Sequence, residues 1–180
     1  MTKKAKRKNV VQSSIKGKDL IDLLVQDHKP LRKLLKVMKD SDKNISTRRK
    51  AFEEFGPLLV RHAQPEEQVL YVVMKKMEGM REDGFEGDVE HGLADQMLEE
   101  AKRTKDGDLW GARVKVLAEL IEHHLDEEEE EVFPEFKKKS EKEQRIEMGQ
   151  EYLECKENTL ADGRERDPGK KVEPVLSANY

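Results

Sequence analysis

Two stretches of this 180-residue sequence repeat one arrangement of ligand-type side chains. His62, Glu66, Glu67, Leu70 and Tyr71 recur at identical spacing as His124, Glu128, Glu129, Val132 and Phe133. Helical residues four apart face the same way, so His62 points with Glu66 and His124 with Glu128. Two more histidines, each preceded by an acid (Asp27-His28 and Glu90-His91), lie upstream. His28 stands 34 residues before His62, and His91 stands 33 before His124. The chain therefore reads as a helical hairpin used twice. Each copy contributes one histidine from its first helix and a His/Glu pair from its second.

Six such groups aimed at one core need a partner. Uncompensated buried charges cost several kcal/mol each, against a net domain stability of roughly 5–15 kcal/mol. A bound cation resolves the conflict. Four imidazoles and two carboxylates without a thiolate suit iron, manganese or zinc, whereas calcium and magnesium prefer all-oxygen shells. Six residues cannot fill two octahedral shells unless the glutamates are shared and water or hydroxide completes them. That opening is where O2 or another small molecule would bind. A single histidine in an apolar stripe is more often a hydrogen-bonded core residue than a ligand. Four in register, two of them paired with glutamate, reverse that preference.

His123 competes with His124 for the inward position, and adjacent helical residues point about 100° apart. His124 follows Trp110, Val114, Leu117 and Ile121 at core spacing and precedes Glu128 by four residues. His123 would pair instead with Glu127 and shift the repeat by one, so His124 is the expected ligand.

The elements that must hold these groups are amphipathic helices. Ile21, Leu24, His28, Leu31, Leu35 and Met38 form one seam. A second helix, capped by Ser46 or Thr47 and running to about Met77, carries Phe55, Leu59, His62, Glu66, Val69 and Val73 inward. Pro57 and Pro65 predict a bend or a break in it. Glycines 79, 84 and 87 predict a turn, after which Asp88 caps a shorter helix with His91, Ala94, Leu98 and Ala101 inward. The fourth helix, about 108–136, turns Trp110, Val114, Leu117, Ile121, His124, Glu128 and Val132 inward. Ser140 and Glu143 form a capping-box pattern for a fifth helix to about Asn158, expected on the outside.

Composition agrees with an all-α chain, since charged residues make up 41% and aromatics 5%. Cys155 is the only cysteine, which excludes an intrachain disulfide and a thiolate zinc site within one chain. No stretch approaches the roughly 18 apolar residues of a membrane span, and a cytoplasmic protein is expected. The first eighteen residues carry Lys3, Lys4, Lys6, Arg7, Lys8, Lys16 and Lys18 and no acid, while the whole chain has net charge −4. This basic arm has no aromatic to stack on a base, so a solvated tail is preferred to a nucleic-acid contact beyond a weak one.

The doubled His-x3-Glu-Glu pattern resembles the hemerythrin-like, or HHE cation-binding, family over about residues 20–136. The resemblance implies an up-down four-helix bundle, here with an extra C-terminal helix. It implies two non-haem iron ions, ahead of manganese or zinc. His28, His62, His91 and His124 would be terminal ligands, with Glu66 and Glu128 as bridges. The expected divisions are a basic disordered tail (1–17), the bundle (18–138), an added helix (139–159) and a disordered tail (160–180).

Oxygen-carrying hemerythrins have His-x3-His on the third helix, but here Asp95 stands four residues after His91, so reversible O2 transport is not implied. Asp95, Glu67 or Glu129 could each add a ligand. The expected function is binding or sensing of O2, nitric oxide or iron, with a di-iron oxidase or peroxidase as the alternative. None of the five histidines is preceded by glutamate at the Glu-x-x-His spacing of ferritin-like di-iron enzymes.

Overall fold

The computed structural model describes residues 17–161. Residues 1–16 and 162–180, which make up all but 17, 160 and 161 of the expected disordered tails, lie outside the described residues, and 160–161 belong to the last helix. The described residues form helices and turns, with no strand among them.

Helix α1 (Leu20–Lys39) opens on Asp19, whose carboxylate accepts the Ile21 backbone N–H at 3.0 Å. Every member of its expected seam, from Ile21 to Met38, is buried. Helix α2 is α-helical over Ile45–Glu66, passes through a π turn at Glu67–Tyr71 and ends in a last α turn, Val72–Met74. Its cap is Asn44, not Ser46 or Thr47. The Asn44 side-chain oxygen accepts from the Thr47 N–H at 2.8 Å and from the Ser46 hydroxyl at 2.7 Å. Pro57 and Pro65 lie within α2 without ending it, and the departure from α geometry begins at Glu67.

Helix α3 (Arg81–Arg103) starts well before Asp88, because two of the glycines expected to mark a turn lie inside it. They serve close packing instead. A Cβ on Gly87 would sit 2.5 Å from the Tyr71 ring, and one on Gly84 3.1 Å from Met74. Without those methylene-sized projections the last turns of α2 lie directly against α3.

Helix α4 is α-helical over Gly107–Glu127, π over Glu128–Val132 and α again over Phe133–Lys139, with Asp106 capping through the Leu109 N–H at 2.8 Å. Both π turns start at the repeated glutamates, the first at Glu67, directly after Glu66, and the second at Glu128 itself. Each accommodates an extra residue, so the inward phase slips by one beyond it. Met74 and Phe133 are buried where Val73 and Val132 were expected, and the two valines are only half-buried.

Helix α1 packs against α2 and α4, and α3 against α4 and the π turn of α2, closing the bundle. Helix α5 (Lys142–Ala161) lies on α1 and α2. It is more than an outer decoration, since Tyr152 and Met148 are buried and Arg145 Nε donates to Asp19 at 2.7 Å. The expected capping box does not form. The Ser140 hydroxyl donates back to the Phe136 carbonyl at 2.5 Å, and Arg145 donates to Ser140.

Two apolar clusters result. One gathers Leu35, Phe55, Leu98, Trp110, Leu117 and their neighbours, the other Leu20, Leu24, Leu70, Met74, Phe136 and Tyr152. The expected ligand residues belong to neither.

Candidate metal centre

All six expected ligand residues are buried: His28, His62, Glu66, His91, His124 and Glu128 are each at most 3% exposed. They form two groups of three, His28–His62–Glu128 and Glu66–His91–His124. Within each group one donor atom per residue lies within 4.8 Å of the others. His28 and His62 come from α1 and α2, His91 and His124 from α3 and α4, so each hairpin supplies one histidine pair. Their ring centroids are 4.9 Å apart in the first pair and 4.8 Å in the second.

The glutamates lie between the pairs. Glu128 Oε2 is 3.4 Å from His28 Nε2 and 3.5 Å from His124 Nε2. Glu66 Oε2 is 3.3 Å from His62 Nε2 and 3.9 Å from His91 Nε2. Each carboxylate therefore reaches one histidine of each hairpin.

Outer partners orient the rings. His28 Nδ1 is 2.8 Å from Glu129, His91 Nδ1 3.1 Å from Glu67, and His124 Nδ1 2.6 Å from Glu90. A carboxylate accepts only, so each of these Nδ1 atoms carries a proton, and in the neutral ring each Nε2 presents a lone pair inward. Glu67 and Glu129, weighed above as extra ligands, thus lie behind the histidines. Arg32 also donates to Glu129, at 3.1 Å. Asp95 is half-buried on α3 and belongs to neither group.

The inner atoms test whether a cation fits. His28 Nε2, His62 Nε2, both Glu66 oxygens and Glu128 Oε2 are buried without a hydrogen-bond partner. His91 Nε2 and His124 Nε2 face one another at 3.1 Å. Two lone pairs at that distance repel unless a proton or a cation lies between them. Donors about 2.1 Å from a first-row ion and at right angles are about 3.0 Å apart, so the observed spacing suits shared coordination. The donor set fits two such ions.

The electrostatics say the same. Burial drives the Glu66 carboxyl well above the usual carboxylate range, and the charge of Glu128 adds to this. Burial acts in that direction on Glu128 too, but the surrounding imidazoles of His124, His28 and His62 outweigh it and hold Glu128 low. Burial lowers His62 well below the usual imidazole value, with the neighbouring His28 ring adding, and lowers His91 as well. Desolvation also opposes a charge on His124, yet Glu128 and Glu90 together raise it. Two buried carboxyls whose charges oppose one another cannot both ionise freely, and a metal ion would supply the positive charge that ionising both requires.

One difference between the halves is a hydroxyl. Tyr71 and Phe133 are equivalent in the repeat, and they lie against His91 and His28 at 5.4 and 5.7 Å. Tyr71 also donates to Glu128 Oε1 at 2.9 Å. A cleft between α3 and α4 reaches Tyr71, His124 and Glu128 from an acidic mouth at Asp83, Glu86 and Glu127. His123 lies outside, its side chain 72% exposed and 3.7 Å from Glu127. Together with Glu90 these two make a third, surface group of metal-type side chains.

Sequence reasoning noticed the acids before His28 and His91 but assigned them no task. Glu90 holds His124, and Asp27 accepts from the Tyr152 hydroxyl at 2.6 Å. Tyr152, 3.5 Å from His62 Nδ1, carried no signal, being a lone aromatic on a helix of modest apolar content.

A family model described as Hemerythrin HHE cation binding domain matches residues 19–136. No curated protein and no solved structure matches the chain.

Proposed function

Because this chain belongs to the hemerythrin HHE cation-binding family, we propose that its six buried groups hold two iron ions and that the centre binds or senses O2, nitric oxide or iron. The observation that carries this reading is the position of Glu66 and Glu128, each within 4 Å of a histidine from both hairpins. His28 and His62 would serve one ion, His91 and His124 the other, and the glutamates both. Bound iron would supply open coordination positions for a small ligand and one-electron redox chemistry. The chain's own part is to fix the inward lone pairs through Glu129, Glu67 and Glu90 and to leave a narrow cleft past Tyr71.

Metal analysis of the purified protein after anaerobic loading, read with its visible spectrum before and after O2 or nitric oxide, tests the proposal. About two iron ions per chain are expected, with a ligand-dependent spectrum and stoichiometric uptake. One ion per chain under saturating iron would overturn the dinuclear assignment. Sustained turnover of O2 or peroxide with a reductant would replace the sensing role with a di-iron enzyme. Glu128→Ala should impair both ions and His28→Ala mainly one. Equal, partial losses from the two would count against the bridge.

A further inference from the structure

Three of the four inward histidines are held from behind by a carboxylate, at 2.6, 2.8 and 3.1 Å. His62 is the exception. By the repeat its partner should be Asp27, which stands to His62 as Glu90 stands to His124. The Tyr152 hydroxyl of α5 intervenes, 2.6 Å from Asp27 Oδ2 and 3.5 Å from His62 Nδ1. Lys156, one turn further along α5, is ion-paired with the same Asp27 oxygen.

We infer that α5, which lies beyond the residues the family model matches, completes the centre: Tyr152 is the positioning residue behind His62, and it makes the His28/His62 position the weaker of two inequivalent metal positions. The inference rests on the dinuclear reading above. A phenol has one proton, and Asp27 is its short, charged acceptor, so the hydroxyl donates there. The phenol oxygen is left to accept the His62 Nδ1 proton, which keeps Nε2 free and inward. A neutral oxygen at 3.5 Å polarises the imidazole less than a carboxylate at 2.6 Å, and Lys156 draws on the negative charge of Asp27. His62 is therefore a poorer electron donor than His124, its counterpart in the other hairpin. Packing alone would not place a hydroxyl here, since Tyr152 is fully buried and its oxygen must find partners.

The test is anaerobic iron(II) binding to the full chain in competition with a chelator, together with Mössbauer spectra of the iron-57 protein. Wild type should take up two ions in two resolved steps and show two distinct iron environments. Tyr152→Phe, which keeps the ring, should weaken the looser step about 10–100-fold and shift one environment only, as loss of an outer partner does. Met148→Ala removes buried packing from the same helix and should leave the difference between the two steps unchanged. Two equal steps in wild type, no selective change in Tyr152→Phe, or the same selective change in Met148→Ala would each overturn the inference. A wild type that binds a single ion would defeat the dinuclear reading itself, and this inference with it.

Discussion

The two apolar clusters on either side of the polar layer are built on different principles. The cluster around Phe55, Trp110 and Leu117 is made by regular α-helix from α1 to α4 alone. Its seams repeat at three and four residues, and the Trp110 ring is covered by Arg49, whose guanidinium carbon lies 4.3 Å from the ring centroid. The cluster around Leu70, Phe136 and Tyr152 joins the first turns of α1 to the first π turn, the segments beyond both π turns and α5. One end is a conventional core. The other is a core bent around a site, and the irregularities are concentrated where the ligand-type residues are. The comparison teaches that stability and chemistry are divided along the bundle axis.

The sharpest way to break this division is to damage the conventional end. Phe55 is fully buried, and Phe55→Ala should cost about 3–5 kcal/mol in chemical denaturation while leaving metal stoichiometry unchanged. Loss of metal from the folded variant would mean that the two ends are one cooperative unit.

Removing the metal should act at the opposite end. An ion bound only to the native state at a free concentration a hundred times its Kd stabilises by about 2.7 kcal/mol. The metal-free protein should accordingly melt lower. Its faster amide exchange should be confined to 67–74, 128–139 and α5, with the Trp110 end protected. A uniform rise in exchange, or superimposable melting curves, would break the comparison.

Two glycines of α3 sharpen it further. Gly87→Ala places a methyl against the Tyr71 ring and should destabilise by about 1–3 kcal/mol, disturbing the contact of Tyr71 with Glu128. Gly92 has open space where a Cβ would go. Gly92→Ala should therefore stabilise by about 0.5–1 kcal/mol through helix propensity. Thermal melts of the two variants should move in opposite directions, and a stabilised Gly87→Ala would show that the close approach of α2 is not required.

The smallest effect is expected at His123, where alanine should change stability by no more than about 0.5 kcal/mol and keep both ions. His124→Ala should lose metal and colour. The reverse outcome, read by metal analysis, would mean that α4 is rotated by one residue from the position described.

What the sequence by itself determined is whatever follows from local periodicity. The seams of α1 and α3, and that of α4 as far as Glu128, are buried as their spacing requires, because side chains three and four apart share a face of any α-helix. The same rule brought the six ligand-type residues to one layer and separated His124 from His123. Only the tertiary structure decided matters of closeness between distant segments. Gly84 and Gly87 read as turn residues by composition, yet they admit Tyr71 and Met74 against the first turns of a helix. The π turns displaced Val73 and Val132 in favour of Met74 and Phe133, because one extra residue per turn rotates all that follows. The partners behind each histidine, Glu129, Glu67, Glu90 and Tyr152, come from other helices. Such pairings depend on how the rods are set against one another, and no periodicity within a single rod encodes that.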